Sequence, residues 1–241
     1  MAINIRRFDP AKTEPYHAGK VPDSSVLPET MTAPFWHQYG CLKKRGAAMS
    51  GYVQKTDQIY IIISGSGYVV TDEKNCCVRA GDTVVIPAGQ WHTLICTDKD
   101  EAPLIWAAFW WEKIADSDGS GKIDNSVIHI HRFEKEKAEK AHQDTILASA
   151  VVPPVIKTPF GHAYGYLENG NEMELHAHPT DEFYIVYSGS GLVIVGDEER
   201  AVNPGDVIEI PRNAMHSMRS NPKSENNGAF LWAAFWWNPI S

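Results

Sequence analysis

Three histidines and a glutamate in the C-terminal half have the types and spacing of a metal-ligand set: His176, His178, Glu182 and His216. Residues two apart on a strand share a face, with Cα atoms ~6.6 Å apart, so the imidazoles of His176 and His178 can reach one ion. Pro179-Thr180-Asp181 breaks that strand, and Glu182 enters from the start of the next. His216 follows a strand that Gly205-Asp206 opens and Pro211 closes, so it comes from a third. Three imidazoles and a carboxylate converging from separate strands suit a divalent transition metal. Mixed nitrogen and oxygen ligation of an octahedral ion leaves open positions for water or substrate. The competing reading of the same four residues is a polar-lined barrel without metal.

Glu174 precedes His176 by two and is expected to share its inward face, where a carboxylate beside a Lewis-acid ion serves as general acid or base. The alternative is a solvent-facing carboxylate at the strand's outer end. Tyr184 and Val186 alternate inward with Glu182, which makes Tyr184 either a proton or hydrogen-bond donor or a buried structural tyrosine. Tyr164 and Tyr166 are expected to reach the barrel mouth. No cation joins the set, since Arg212 sits in a turn and Arg219 alternates away from His216. Phosphosugars are therefore disfavoured, and a small, mostly apolar or aromatic oxygenated substrate fits better.

The elements that must position these residues are legible because the chain is a duplication. Trp106-Ala107-Ala108-Phe109-Trp110-Trp111 recurs unchanged as Trp232 to Trp237. Ser64-Gly65-Ser66-Gly67 recurs as Ser188 to Gly191, and Gly81-Asp82, Pro87 and His92 recur as Gly205-Asp206, Pro211 and His216. Pro34-Phe35, His37 and Tyr39-Gly40 return as Pro159-Phe160, His162 and Tyr164-Gly165, and Arg7-Phe8 returns as Arg132-Phe133. Two copies of one domain follow, residues 1–122 and 123–241, joined near the polar stretch Asp116 to Gly121.

Each copy reads as β. Short β-branched and aromatic runs flank Ser-Gly-Ser-Gly as a hairpin signal, and many short strands at close spacing mean a sandwich or small barrel. The fair helical patch is Glu134 to His142, with a solvated, charged face. The two Trp-Ala-Ala-Phe-Trp-Trp strands are apolar enough to be buried on both faces, between the barrels. His37 and His162 recur in both copies and are expected to be hydrogen-bonded structural histidines. His129-Ile130-His131 copies the spacing of the ligand pair, but Lys135 stands where the carboxylate belongs.

In the first copy the ligand set is replaced: Tyr52, Gln54 and Gln58 stand where the second has His176, His178 and Glu182, and His92 alone remains. Two amides, a phenol and an imidazole are a poor shell for a divalent ion, so that barrel is expected to be metal-free. It is either a relic kept for stability or a pocket for a polar ligand.

Composition bounds the rest. The 241 residues carry 22 Lys+Arg against 30 Asp+Glu, a net charge of −8, with 43 % apolar residues. An acidic balance without a basic stripe argues against nucleic acid. The longest apolar runs fall far short of a membrane span, and the N-terminus lacks a signal-peptide apolar region. The four cysteines form no C-x-x-C pair and fit reduced thiols, so a cytoplasmic location is expected.

Gly170, His176, His178, Glu182 and Gly189 resemble the first motif of the cupin superfamily, and Gly205, Pro211 and His216 its second. Asn213 replaces the usual glycine of that second motif, a mild departure because Asn tolerates a left-handed backbone. The first copy keeps the second motif as Gly81, Pro87, Gly89 and His92. The resemblance spans nearly the whole chain and implies an all-β bicupin, two tandem cupin barrels of the double-stranded β-helix or jelly-roll type. It implies Fe(II), Mn(II), Ni(II), Cu(II) or Zn(II) at the second barrel and a small-molecule substrate. It also implies homodimers, formed by packing sheets or exchanging N-terminal strands. The leading expectation is a metal-dependent enzyme acting on a small oxygenated molecule, dioxygenase-like ahead of isomerase or lyase. The alternative is a non-enzymatic bicupin that binds a sugar or other small ligand.

Overall fold

A computed structural model describes residues 3–9, 14–16, 21–97, 102–114 and 127–240. The polar stretch Asp116 to Gly121 and the expected boundary at 122/123 lie outside the described residues. The architecture is nearly all-β, as expected. In the first repeat a seven-stranded antiparallel sheet runs His129–Arg132, Asp82–Ile86, Asp57–Ser64, Leu104–Trp111, Trp36–Leu42, Val21–Ser24 and Glu14–Tyr16. A smaller sheet of Tyr52–Val53, Trp91–Cys96, Ser66–Val70 and Asn75–Arg79 closes that barrel. The second repeat matches it with a large sheet of Ile5–Arg6, Val207–Ile210, Asp181–Ser188, Phe230–Trp237, Gly161–Leu167, Ile146–Ser149 and Glu139–Ala141. Its small sheet is Glu198–Val202, Gly191–Val195 and His216–Ser220.

The Trp-Ala-Ala-Phe-Trp-Trp strands are central in the large sheets and, as expected, buried on both faces. Trp106 and Ala108 point into the first barrel, Trp232 and Ala234 into the second. Ala107, Phe109, Trp111, Ala233, Phe235 and Trp237 point the other way, into one aromatic core between the two large sheets. Residues there meet their own duplicates: Phe35 packs on Phe160 at 4.9 Å and Phe109 on Phe235 at 5.6 Å between ring centroids. Self-to-copy contacts are the mark of an isologous, twofold-related interface. The expected burial between the two barrels is thus made by packing the two large sheets face to face.

The repeats also exchange edge strands. Ile5–Arg6 pairs with Val207–Ile210 of the second sheet, and His129–Arg132 pairs with Asp82–Ile86 of the first. Each exchange is clamped by equivalent ion pairs. Arg7 Nε donates to the buried Asp206 carboxylate at 2.7 Å, and Arg132 Nη2 donates to the buried Asp82 at 2.7 Å. The Gly-Asp turn is shared by both copies for this reason, since each aspartate also accepts a backbone N–H three residues upstream.

The helical expectation for Glu134 to His142 is corrected. Lys135–Lys137 forms a single 3-10 turn and Glu139–Ala141 an edge strand paired with Ile146–Ser149. Sheet pairing overrides the weak preference of a Glu/Lys/Ala run. His129 and His131 lie on the exchanged strand, where His131 Nε2 meets the Ala150 carbonyl at 2.9 Å. All four cysteines are free. Among the described residues no helix is long and apolar enough to cross a membrane.

His37 and His162 occupy equivalent positions, paired in register with Phe109 and Phe235. Burial lowers each to about 4, and His162 Nδ1 accepts from the Val151 N–H at 3.3 Å, which requires the neutral ring. An unfolded histidine titrates near 6.5, so between those values the unfolded chain binds the extra protons. Stability is therefore retained above pH ~6.5 and lost as pH falls, by about 2 kcal/mol per histidine between pH 7 and pH 5. Urea unfolding at the two pH values checks this, and a His37→Gln/His162→Gln variant should show the shallower dependence. A midpoint that does not move with pH would rule the burial argument out.

Candidate metal centre

Two short segments and a strand start bring the site together. His176 and His216 form an isolated antiparallel bridge, each backbone N–H donating to the other's carbonyl at 3.2 and 2.8 Å. Glu182 is the second residue of Asp181–Ser188, placed by the break at Pro179-Thr180. Asn213 takes the left-handed φ of +58° that Gly89 takes at +91° in the first repeat. Its N–H donates to the His178 carbonyl at 2.8 Å, which ties the turn to the site.

One ring nitrogen from each of His176, His178 and His216 lies within 4.8 Å of the others. His176 Nδ1 and His216 Nδ1 each donate to a backbone carbonyl at 2.9 Å, from Glu174 and Ala214 respectively. That fixes the tautomer and turns both Nε2 lone pairs toward the centre. His178 Nε2 meets Glu182 Oε2 at 2.6 Å, and its Nδ1 meets the Thr180 hydroxyl at 2.7 Å. Glu182 is 4 % exposed. Burial alone would raise its carboxyl, but the hydrogen bond from His178 and the nearby imidazoles of His178 and His216 hold it below the usual range. Burial lowers His176, whereas the bond to Glu182 raises His178.

Among the described residues His216 Nε2, which is buried, has no hydrogen-bond partner, although Glu182 Oε2 lies 3.4 Å away. An unpaired buried polar atom is costly, on the order of 1–3 kcal/mol, and asks for an explanation. A cation coordinated by this nitrogen, its two neighbours and Glu182 supplies one. The donor set of three imidazoles and a carboxylate fits such an ion.

The first barrel is the control. There His92 Nε2, equivalent to His216 Nε2, meets the Tyr60 hydroxyl at 2.9 Å, and Tyr52 Oη joins at 2.9 Å from Tyr60. Tyr52 Oη also donates to Gln58 at 3.3 Å, so side chains fill the place of an ion. Tyr184 is the counterpart of Tyr60. It is fully buried, with its hydroxyl pushed well above the usual tyrosine value and so kept protonated, first by burial and then by the Glu182 charge.

The site opens on a cavity of about 270 Å³, at the small end for ligand pockets. His176, His178, Glu182 and Tyr184 line it, and its walls are apolar. Ala163 and Ala234 face each other across the register, and Trp232 and Trp236 lie against Gly165 and Gly161, where an added Cβ would sit 2.3 and 2.2 Å from the indoles. The first barrel has Gln38 and Trp36 in register where the second has Ala163 and Gly161, and Trp36 stacks on Trp110. Smaller residues thus stand in the second repeat where the first carries Gln38 and the half-exposed Trp36.

Glu174 departs from the expected shared face. Met173, His176 and His178 line the cavity, and Glu174 is not among the lining residues. The chain from Met173 to His178 is not a continuous strand, so the period of two does not carry back past His176. The Glu174 carboxylate accepts from the Gln143 amide instead, and its N–H donates to Thr145 Oγ1 at 2.9 Å. Tyr164 lines the cavity, but its hydroxyl meets Thr83 at 2.9 Å in the inter-sheet core, and the Tyr166 hydroxyl donates to Glu168, also at 2.9 Å. Sequence reasoning missed His142. Its ring centroid lies 4.3 Å from that of His176 and it lines the cavity, carried on a turn where His142, Gln143 and Asp144 have φ of 49°, 52° and 66°. Each non-glycine residue held there costs on the order of 1 kcal/mol.

Comparison with known proteins agrees with this geometry. The family profile described as Cupin domain matches residues 44–108 and 164–234, one match in each repeat and together more than half of the chain. No curated protein sequence matches. Among solved structures, a cupin 2 conserved barrel domain protein from Leptotrichia buccalis is similar at 14 % identity and a TM-score of 0.64, over 99 % of this chain and 98 % of that one. Salicylate 1,2-dioxygenase from Pseudoaminobacter salicylatoxidans, in adducts with gentisate, is similar at 11 % identity and 0.67, over 97 % and 81 %. Oxalate decarboxylase from Lactobacillus farciminis, in a formate complex, is similar at 15 % identity and 0.59, over 100 % and 88 %. At these identities the likeness is one of fold. With a profile match in each half and a barrel built on each, the chain belongs to the cupin domain family, as a protein of two tandem cupin domains.

Proposed function

We propose that this protein is a metal-dependent enzyme acting on a small oxygenated organic molecule in the second barrel, with His176, His178, Glu182 and His216 as metal ligands. The observation that carries the reading is the unpaired, buried His216 Nε2 beside a first barrel whose equivalent nitrogen is capped by Tyr60. A bound divalent transition ion supplies Lewis-acid polarisation of a chelated oxygen and, where redox-active, an electron relay. The rest is done by the chain. Carbonyls of Glu174 and Ala214 orient two imidazoles, and the Thr180 hydroxyl, which donates or accepts, suits either tautomer of His178. Buried, protonated Tyr184 stands beside Glu182 as a hydrogen-bond donor. Glu174 acts as a positioning residue through the segment it ties to Gln143 and Thr145. The apolar walls exclude water from a substrate small enough for the cavity.

Dioxygenation is the first reaction class to test and isomerisation or lysis the second. Salicylate and gentisate, named with the similar dioxygenase, are oxygenated aromatics of a size this cavity suits. Fe(II)-loaded protein should consume dioxygen with one or more hydroxylated benzoates, and His176→Ala should abolish that uptake. Metal-loaded protein that binds such molecules yet forms no product with any of the five metals favours the non-enzymatic ligand-binding role.

A further inference from the structure

We propose that His142 contacts the substrate directly and selects molecules with a second polar group beside their metal-facing oxygens; this rests on the metal-enzyme reading above. Other polar side chains of the cavity are turned to neighbours or to the ligand set. Thr180 bonds His178, the Tyr164 hydroxyl is turned away to Thr83, and buried Tyr184 stands beside Glu182. His142 makes no hydrogen bond through its ring among the described residues, though it lines the cavity next to His176. Its nitrogens lie outside the triad whose atoms meet within 4.8 Å, so it is placed beside the ligand set rather than in it.

The turn that carries it is built to hold that position. Three successive left-handed residues lift the ring over the cavity. Thr145 closes the turn by donating to the His142 carbonyl from its N–H at 3.1 Å and its hydroxyl at 2.5 Å. Glu174 then anchors it twice, giving its N–H to Thr145 Oγ1 and taking the Gln143 amide on its carboxylate. Strain retained by a dedicated set of bonds, with an unbonded imidazole at its end, is the pattern of a ligand clamp. The lining contains no lysine or arginine. The group recognised by His142 is therefore a hydroxyl or carbonyl rather than a phosphate, on a molecule whose body contacts Ile146, Met173 and the two tryptophans.

Salicylhydroxamate and benzohydroxamate test this, because both chelate a metal through two oxygens and only the first adds a neighbouring hydroxyl. Calorimetric titration into Ni(II)-loaded wild type, His142→Asn and His142→Gln gives the affinities, with metal content measured alongside. His142→Asn keeps a residue that tolerates the left-handed turn but cannot reach the cavity. It should weaken salicylhydroxamate about tenfold, the worth of one hydrogen bond, and leave benzohydroxamate within about twofold. His142→Gln, which retains a donor, should recover most of that loss, and both variants should keep their metal. Equal affinities of wild type and His142→Asn for salicylhydroxamate would overturn the proposal, as would loss of metal from His142→Asn. A wild type that takes up no metal overturns the enzyme reading itself, and this inference with it.

Discussion

With the proposed metal centre, His216→Ala is expected to abolish the stabilisation by divalent metal and to lower metal affinity by more than about a hundredfold. The magnitude follows from the geometry, because losing an outer-shell partner alone costs about 10–100-fold and His216 is proposed as an inner ligand. It is the most buried of the three histidines, and its Nε2 has no protein partner to leave behind. In wild type, free metal at about a thousand times its Kd stabilises the fold by about 4 kcal/mol. Urea unfolding with and without metal reads that difference, and in His216→Ala the two curves should superimpose. The matching change His92→Ala in the first barrel should leave the metal effect intact, because His92 is bonded to Tyr60 rather than to an ion. A metal effect that survives His216→Ala would place the ion elsewhere.

Ala163→Gln closes the second barrel to substrate without emptying the metal site. The residue in register at this position in the first barrel is Gln38, opposite Ala108 as Ala163 is opposite Ala234. A glutamine side chain placed there enters the 270 Å³ cavity from its wall, whereas the ligands sit on other strands. Overpacking of this kind costs about 1–3 kcal/mol of stability. Benzohydroxamate affinity should fall by more than about tenfold, since filling the cavity removes the contacts of the aromatic body. Metal content should stay at the wild-type value. Unchanged benzohydroxamate binding would mean that the substrate does not use the space between Ala163 and Ala234.

The duplication and the convergence of His176, His178, Glu182 and His216 were legible in the sequence because both are written in long or rigidly spaced patterns. The repeated Trp-Ala-Ala-Phe-Trp-Trp run alternates between two cores, and the H-x-H pair with Glu182 and His216 needs only strand periodicity to converge. What stayed hidden depends on pairing between distant segments. The exchanged strand Ile5–Arg6 is two residues long, and only the recurrence of Arg7-Phe8 as Arg132-Phe133 hinted that both copies use it alike. Glu174 left the inward face because the period of two fails between Met173 and His176, where isolated bridges at Glu172 and His176 take the place of a continuous ladder. His142 was masked by a Glu/Lys/Ala run of helical character, and its turn has no glycine to announce left-handed backbone. The cavity itself was visible only by difference, through Gly161 and Ala163 against Trp36 and Gln38.

Elemental analysis of the untagged protein, purified without added metal, tests the central claim most directly when run beside His176→Ala. About one Fe, Mn, Ni, Cu or Zn per chain in wild type, absent from His176→Ala, is the expected result and narrows the reaction class. No metal in either protein, even after reconstitution with each of the five ions, would contradict a metal centre in the second barrel.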